Sequence, residues 1–208
     1  DNIRRFVFCG RLVYEKNVDG LLAIWAAFAS SKTNIQLVIL GDGPLAQESR
    51  SLALKLNLSI GVSPTDKQAS VLFLGSVSQP ENYMVGARAF LLTSRHEGVP
   101  TVLLLAASLC LPVLAADCHS GGVRDLLGKS EQEPVKDGVS VCAGRLLPIP
   151  ESSFPETILV WKRALEIVDT DMALREQWTK GAAELSVLYS VESVRKAWMA
   201  EIEGLYQS

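Results

Sequence analysis

Residues 37–46 read LVILGDGPLA, an apolar run that ends in a glycine and leads into a segment with helical spacing. Two further apolar runs, at residues 6–9 and 71–74, also end in a glycine. Short, continuously apolar runs are typical of parallel strands that are buried on both faces of a sheet. On this criterion the predicted strands are Phe6–Cys9, Leu37–Leu40, Val71–Leu74, Ala89–Leu92, Pro112–Ala116 and the more polar Val139–Cys142.

The segments between these runs have the spacing of amphipathic helices. Val18, Leu21, Trp25 and Phe28 fall on one helical face, and Pro44 stands where a second helix would begin. Strands that alternate with helices predict an α/β fold with a right-handed, doubly wound parallel sheet. Ligands of such sheets bind at the carboxyl ends of the strands, so the residues that follow each run are the candidates for function.

The last third of the chain contains three apolar stripes at helical spacing. They are Phe154, Ile158, Trp161, Leu165 and Val168; Leu174, Trp178, Ala182, Leu185 and Leu188; and Val191, Val194, Trp198, Ile202 and Leu205. The sequence therefore divides into a core, residues 1–150, and C-terminal helices, residues 151–208, that pack on the same domain. We expect core packing for most of these side chains, and partial exposure of the stripe that contains Trp198, Ile202 and Leu205.

Composition excludes several classes of protein. With 208 residues, 48% hydrophobic and 21% charged, the chain has the composition of a folded domain. The net charge of −3 argues against a nucleic-acid-binding surface, and no apolar stretch reaches the roughly 18 residues of a membrane span. The four cysteines form no Cys-x-x-Cys pair, so we expect reduced, buried thiols and neither disulfides nor a metal site.

Charged residues follow the first and fourth predicted strands. Arg11 and Lys16 lie between the first strand and a helix start, an arrangement that suits a diphosphate but also occurs in solvated loops. Glu97 precedes Gly98 and a helix that opens near Pro100, where a carboxylate can hold sugar hydroxyls or merely complement the helix dipole. The residues alone favour a solvated loop at Arg11 and Lys16, and they leave both alternatives open at Glu97.

Three other motifs have structural explanations. Residues 41–46 match the dinucleotide-binding fingerprint Gly-x-Gly-x-x-Gly/Ala. The fingerprint belongs after the first strand, but here it follows the second, and the nearest acidic partner, Asp66, falls in a loop. A tight structural turn is therefore the favoured interpretation. Ser120 and the two glycines after it are interpreted as a turn in which Ser120 caps a short helix. The Asp-x-Asp at 169–171 joins two predicted helices, where Asp171 serves as an N-cap and not as a metal ligand.

Taken in order, the motifs at these strand ends resemble those of one protein family. They are Gly10-Arg11-Leu12 with Lys16-Asn17, Leu40-Gly41-Asp42-Gly43-Pro44, Phe73-Leu74-Gly75, Ser94-Arg95-His96-Glu97-Gly98-Val99-Pro100, Leu111-Pro112-Val113 and Gly121-Gly122-Val123-Arg124. The set resembles the C-terminal, nucleotide-sugar-binding half of a family 4 (group 1) retaining glycosyltransferase with the GT-B fold. The resemblance covers about residues 5–150 and implies a Rossmann-like donor-binding domain.

The resemblance also implies roles for individual residues. Arg11 and Lys16 would neutralise the donor diphosphate and Glu97 would hold hydroxyls of the donor sugar, which makes these three the expected catalytic residues. Backbone groups near the other positions would contact the nucleobase, sugar and phosphates. The implied donor-binding set is Gly10, Arg11, Lys16, Ser76, Val77, Glu97, Gly98, Val99, Thr101, Val102 and Leu105. The family stabilises the leaving diphosphate with cations and helix ends, so no metal ion or other cofactor is expected.

One position departs from the family pattern. The family's Glu-x7-Glu motif uses its second glutamate to hold the nucleotide ribose, and the residue eight positions after Glu97 is Leu105. This departure allows two interpretations: a divergent enzyme with another ribose contact, or a nonenzymatic sugar-nucleotide-binding or scaffold domain. An NAD-dependent oxidoreductase that uses residues 41–46 is a third alternative.

The implied reaction is the transfer of a hexose or related sugar from a UDP- or GDP-sugar to a hydroxyl acceptor with retention, in glycan or surface-polysaccharide biosynthesis. GT-B enzymes place their site between two domains, and the N-terminal acceptor domain is expected to be absent from these 208 residues. The chain is therefore expected to bind donor without turning it over. The implied location is the cytoplasm, which allows peripheral contact with the cytoplasmic membrane face, and no nucleic-acid partner is expected.

Overall fold

The chain folds around a mixed, mainly parallel sheet. The structure is a computed structural model that describes residues 3–129 and 133–206, with side chains described as far as Glu203. Its strands are β1 (Arg4–Cys9), β2 (Ile35–Leu40), β3 (Ile60–Gly61), β4 (Val71–Gly75), β5 (Ala89–Leu92), β6 (Val113–Ala116), β7 (Val139–Val141) and β8 (Gly144–Leu147). Their order in the sheet is β3-β4-β2-β1-β5-β6-β8-β7, and every described pair is parallel except β7 with β8.

Helices cover both faces of the sheet, as predicted for a doubly wound fold. They are α1 (Val18–Ala29), α2 (Ala46–Lys55), α3 (Glu81–Met84), α4 (Thr101–Ser108), α5 (Gly122–Leu126), α6 (Pro155–Thr170), α7 (Met172–Leu188) and α8 (Val191–Tyr206), with a 3-10 turn at Tyr14–Lys16. Successive residues of a strand point to opposite faces. Phe6 accordingly joins an apolar cluster with α1 and α6, whereas Val7 joins a second cluster with α4 and α7.

The predicted strands are present, but the far edge of the sheet differs from the prediction. Strand β7 was expected to be parallel, and it pairs antiparallel with β8. Neither β3, which has two residues, nor β8 was predicted. The sequence of β8, Gly144-Arg145-Leu146-Leu147, lacks a continuous apolar run. Gly144 has φ +155°, and a Cβ there would overlap the carbonyl oxygen of Val113, so glycine is what lets β8 approach β6.

The C-terminal helices differ in how they pack. Trp161 of α6 and Trp178 of α7 are almost completely buried in the core that includes α1, as expected. In α8, by contrast, Trp198 is 67% exposed and Ile202 is 42% exposed. Partial exposure of this last stripe was expected, and it is confirmed for those two side chains; the side chain of Leu205 lies outside the described residues.

The four thiols are free, but they are not all buried. Cys118 is buried and Cys142 is exposed, so the expectation of core cysteines holds only in part. The polar stretch Lys129–Asp137 predicts a surface loop, of which residues 130–132 lie outside the described residues. Among the described helices, none combines the length and the hydropathy that a membrane crossing requires.

Candidate functional site

The crevice at the carboxyl ends of β1 and β5 is the topological switch point of the sheet. From β1 the chain builds outward through β2 and β4, and it then returns to the other side of β1 to place β5. In doubly wound sheets the connections on the two sides of this point lead to opposite faces, which leaves an open crevice for ligands. The loops that follow β1 and β5 border this crevice, and they contain the charged residues that the sequence singled out.

Lys16 and Glu97 meet in this crevice although 81 residues separate them. The Nζ of Lys16 lies 2.5 Å from Oε1 of Glu97, and Ser94 donates a hydrogen bond of 2.6 Å from Oγ to the same oxygen. Glu97 is only 8% exposed. A buried carboxylate is stable when a cation and a hydroxyl compensate for its lost hydration, and this pair of donors does so.

Asn17 holds the loops of the crevice together. Its side chain is fully buried; Nδ2 donates to the carbonyls of Thr93 and Pro150 at 3.0 and 2.9 Å, and Oδ1 accepts from the N–H of Gly20. Thr93 in turn donates from Oγ1 to the carbonyl of Lys16 at 3.1 Å. The left-handed backbone of Asn17, with φ 54°, is one that asparagine tolerates. Sequence reasoning did not single out Asn17, whose signal is that of an ordinary N-cap.

The backbone of Glu97 is held by the turn between β6 and α5. Ser120 accepts a hydrogen bond of 3.0 Å from the N–H of Glu97 and donates its hydroxyl proton to the carbonyl of the same residue. The prediction that Ser120 caps α5 is wrong, because Gly121 is the N-cap and no side chain bonds there. A Cβ on Gly122 would overlap the carbonyl oxygen of Gly98, so this glycine permits a close contact between neighbouring loops.

Other groups of the predicted site are exposed. Arg11 is exposed, and its side chain makes no hydrogen bond or ion pair with the described residues. Gly98 has open space where a Cβ would stand, and Val99 is 68% exposed. Helix α4 begins at Thr101, and no side chain of the described residues caps its N-terminus at Pro100. A free helix N-terminus attracts anions through its N–H groups and dipole, so this end of α4 is suited to a phosphate.

The remaining members of the predicted set lie around this edge. Ser76 is exposed immediately after β4, two strands away from β1. Val77, Val102 and Leu105 are half-buried and pack against the apolar cluster that includes α4. A Cβ on Gly10 would lie 3.6 Å from Cδ of Lys16, an ordinary contact. The structure thus pairs Lys16 with Glu97 directly, and it places the other predicted residues in the loops and helix start that follow β1, β4 and β5.

The glycines of residues 41–46 serve packing within the chain. A Cβ on Gly41 would overlap the carbonyl oxygen of Gly10, and a Cβ on Gly43 would lie 2.5 Å from that of Leu12. The carboxylate of Asp66 accepts two backbone N–H groups of its own loop. The favoured prediction of a tight turn is confirmed by the hydrogen bond of 3.0 Å from the N–H of Ala46 to the carbonyl of Gly43.

The Asp-x-Asp segment is structural. Asp171 accepts a hydrogen bond of 2.9 Å from the N–H of Leu174 and caps α7, which confirms the N-cap prediction. Asp169 is buried and pairs with Arg4 at 2.6 Å and with Lys32 at 3.4 Å. This second role was not predicted, since the sequence does not show that the end of α6 lies beside the beginning of β1.

The cation of Lys16 also acts on Cys9, the last residue of β1. Burial raises the pKa of the Cys9 thiol above its ordinary value, and the positive charge of Lys16 acts in the opposite direction. Burial favours the neutral thiol, whereas a nearby cation favours the thiolate. The charge of Lys16 therefore favours the Cys9 thiolate, against the larger effect of burial on the pKa.

This fold is that of the GT-B glycosyltransferases. The structure of a point mutant of S. aureus TarM, in complex with Fondaparinux, alpha-GlcNAc-glycerol and UDP, matches it with a TM-score of 0.73 and 19% identity, over 96% of this chain and 35% of that chain. The chain belongs to the family described as glycosyl transferases group 1, whose sequence model matches residues 3–145.

Two curated relatives are similar over more than half of this chain. An uncharacterized glycosyltransferase of Methanocaldococcus jannaschii is 33% identical over 116 residues, which are 56% of this chain and 26% of the relative. The N-acetylgalactosamine-N,N'-diacetylbacillosaminyl-diphospho-undecaprenol 4-alpha-N-acetylgalactosaminyltransferase of Campylobacter jejuni is 35% identical over 122 residues, 59% of this chain and 30% of the relative. The matched region thus spans between a quarter and a third of the length of these relatives. Membership of this family also removes the oxidoreductase alternative.

Proposed function

We propose that this chain is the C-terminal, donor-binding domain of a retaining family 4 glycosyltransferase. It would bind a nucleoside-diphosphate sugar, whose sugar the complete enzyme transfers to a hydroxyl acceptor. The observation that carries the proposal is the Lys16–Glu97 pair in the crevice between β1 and β5. A nucleotide sugar presents a diphosphate beside sugar hydroxyls, and a cation beside a carboxylate at the switch point is complementary to that pair of groups.

The chemical work of this site would be the stabilisation of a leaving group. When the bond between sugar and diphosphate breaks, negative charge develops on the diphosphate and positive charge on the sugar ring. Arg11, Lys16 and the N-terminus of α4 would stabilise the diphosphate, and Glu97 would hold the sugar hydroxyls. Lys16 is bonded to Glu97 in this structure, so the ammonium group of Lys16 would bind both that carboxylate and a bound donor. The proposal requires no metal ion or other cofactor.

The relatives support a nucleotide-sugar donor and a role in glycan biosynthesis. TarM was solved with UDP, and the Campylobacter relative is named as an N-acetylgalactosaminyltransferase. By this similarity we propose a UDP- or GDP-sugar as the donor and the cytoplasm as the location. Because the relatives are three to four times longer than the matched region, we propose that the acceptor site lies outside these 208 residues. This chain by itself would then bind donor without transferring its sugar.

Leu105 favours a second candidate function. It lies on α4 where the resemblance implies a glutamate that holds the ribose, and it packs against the apolar cluster instead. A leucine accepts no hydrogen bond, so donor affinity would be lower than with a glutamate. A sugar-nucleotide-binding domain without catalytic activity is the function that this feature favours.

Calorimetry on this chain tests the donor-binding role. UDP, GDP and their sugars are titrated into the wild type, Glu97→Gln and the control Glu192→Gln, which changes an exposed glutamate on α8. We expect the wild type to bind, and Glu97→Gln to weaken binding of the nucleotide sugar more than of the nucleotide. The absence of binding by every nucleotide and nucleotide sugar would contradict the proposal. Donor hydrolysis by the full-length protein then separates an enzyme from a binding domain.

A further inference from the structure

Ser120 is bonded to the backbone of Glu97 on both sides of that residue's Cα. Its hydroxyl accepts from the N–H at 3.0 Å and donates to the carbonyl oxygen. When a single group holds both the N–H and the C=O of one residue, the orientation of both flanking peptide planes is restricted. The direction in which the Glu97 side chain leaves the backbone is restricted with them.

The first two residues after Glu97 have little packing of their own, whereas Pro100 is buried. Gly98 and Val99 are both exposed, and a Cβ on Gly98 would meet no atom within 4 Å. This loop is supported by the first residue of α5, Gly122, which lies directly against the carbonyl of Gly98. A loop with few packing contacts depends on its hydrogen bonds for order, so the bonds from Ser120 matter more here than they would inside a helix.

The side chain of Glu97 is held by different groups. Lys16 and Ser94 both bind Oε1, and they belong to the loops after β1 and β5. The carboxylate is thus placed by three loops at once: two hold the side chain, and the turn after β6 holds the backbone.

We infer that Ser120 is a positioning residue, which sets the place of the Glu97 carboxylate relative to the donor sugar. This inference rests on the proposed function only for the identity of the ligand. Ser120 acts through the backbone of Glu97 and is given no contact with the donor. A glycosyltransferase of this kind must tell a nucleotide sugar from the nucleotide that it releases, and Ser120 would contribute to that distinction.

Amide hydrogen exchange tests the positioning role without any ligand. The variants are Ser120→Ala, the rescue variant Ser120→Thr, which keeps the hydroxyl, and the control Ser30→Ala, which removes an exposed hydroxyl at the end of α1. We expect exchange at the Glu97 amide to be about tenfold faster or more in Ser120→Ala, since the open state is no longer opposed by this bond. Exchange in the other two variants should match the wild type. Unchanged exchange in Ser120→Ala, or no rescue by threonine, would overturn the inference.

Binding measurements test the consequence for the donor. The probes are the UDP- or GDP-sugar that the wild type binds best and the corresponding nucleoside diphosphate. Ser120→Ala should lower the affinity for the nucleotide sugar about threefold to tenfold, the effect of one displaced hydrogen bond, and leave the diphosphate within about twofold. Gly122→Ala, which displaces the same loop, should lower the affinity for the nucleotide sugar, relative to the affinity for the diphosphate, at least as much.

The two experiments fail in different ways. If the wild type binds none of these ligands, the proposed donor-binding function is wrong, while the exchange rates still decide whether Ser120 orders Glu97. If the wild type binds and Ser120→Ala weakens both ligands equally, or neither, then Ser120 is a purely structural residue.

Discussion

Two loops at the same edge of the sheet look alike in sequence and differ in what they can bind. Residues 41–44 and residues 97–101 both follow a strand, contain glycine and proline, and precede a helix. In the first loop, backbone of this chain fills the space beside Gly41 and Gly43. In the second loop, the space beside Gly98 is open. A glycine-rich motif is therefore a candidate ligand site only where the neighbouring backbone leaves room.

The topology explains this difference. Helices α1 and α2 both contribute to the apolar cluster on one face of the sheet, so the loops that lead to them from β1 and β2 run side by side. They are joined by backbone hydrogen bonds, including that from the N–H of Leu12 to the carbonyl of Asp42. Helix α4 contributes to the cluster on the opposite face, so the loop after β5 leads to the other side of the sheet, although Thr93 and Arg95 in this loop bond to the backbone of the loop after β1. The crevice lies between these two loops.

The largest expected effect is on stability, and it separates the two loops. Gly41→Ala should lower the free energy of unfolding by about 3 kcal/mol or more, because the Cβ overlaps the backbone of Gly10 at a φ of +137°. Gly98→Ala should change it by less than about 0.5 kcal/mol. Urea denaturation measures both. Similar losses in the two variants would mean that the loops do not differ in packing.

Arg11 tests whether the open side of the crevice binds phosphate. Arg11→Ala should weaken binding of UDP or GDP by about 1.5–3 kcal/mol, the contribution of a charged hydrogen bond, and leave binding of the nucleoside unchanged. Arg163→Ala, which removes an exposed arginine of α6, is the control. Calorimetry with nucleotide and nucleoside provides the measurement. Equal losses for the two ligands would exclude a role in binding the diphosphate.

Leu105 tests the ribose side of the same crevice. Its half-buried position lets a carboxylate at this point reach solvent, so Leu105→Glu should fold and should tighten nucleotide binding by about 1–2 kcal/mol. Leu109→Glu, near the other end of α4, should give no such gain. Melting curves with and without UDP and GDP give the answer. A large fall in melting temperature without recovery by ligand would show that Leu105 is a core residue.

The smallest effect concerns the thiol of Cys9. Burial raises its pKa and Lys16 opposes the shift, so Lys16→Ala should raise the pKa further by removing a charge that stabilises the thiolate. Alkylation by iodoacetamide, followed across alkaline pH by mass spectrometry, should reach its half-maximal rate at a higher pH in this variant. Cys142, whose pKa is also raised by burial but without a contribution from Lys16, should not change. An unchanged profile for Cys9 would place the Lys16 cation away from β1.

Much of the fold was predictable because it depends on local pattern. Short apolar runs identified the central strands, and spacing identified the buried faces of α1, α6 and α7. The strand β8 was missed because Gly144 and Arg145 interrupt its apolar run, and its place beside β6 depends on a close backbone contact that no local pattern shows. The order of the strands in the sheet could not be predicted from local pattern either, since it arises from pairings between distant segments.

The site was predictable by residue type and not by geometry. The sequence singled out Lys16 and Glu97 as charged residues at strand ends. It did not show the 2.5 Å contact between them, on which the choice between a ligand-binding role and a structural role depends. Asn17 was given no separate role, and Ser120 was interpreted as a local cap, the ordinary role of such a residue. Asn17 does cap α1, yet it also links three segments, and Ser120 bonds a residue 23 positions away. Long-range hydrogen bonds leave no periodic signal in a sequence.

The sequence by itself determined the class of fold, because buried strands and amphipathic helices follow from the spacing of apolar side chains, and it predicted ligand binding at the carboxyl ends of the strands. Only the tertiary structure decided which of the glycine-containing loops have open space beside the glycine. Trp178 and Trp198 both lie on apolar helical stripes, yet α7 has the sheet beside it and α8 leaves its tryptophan in solvent. The same holds for the glycines of the two compared loops. Local spacing determines the face that a residue occupies, whereas the neighbours of that face depend on how distant segments pack.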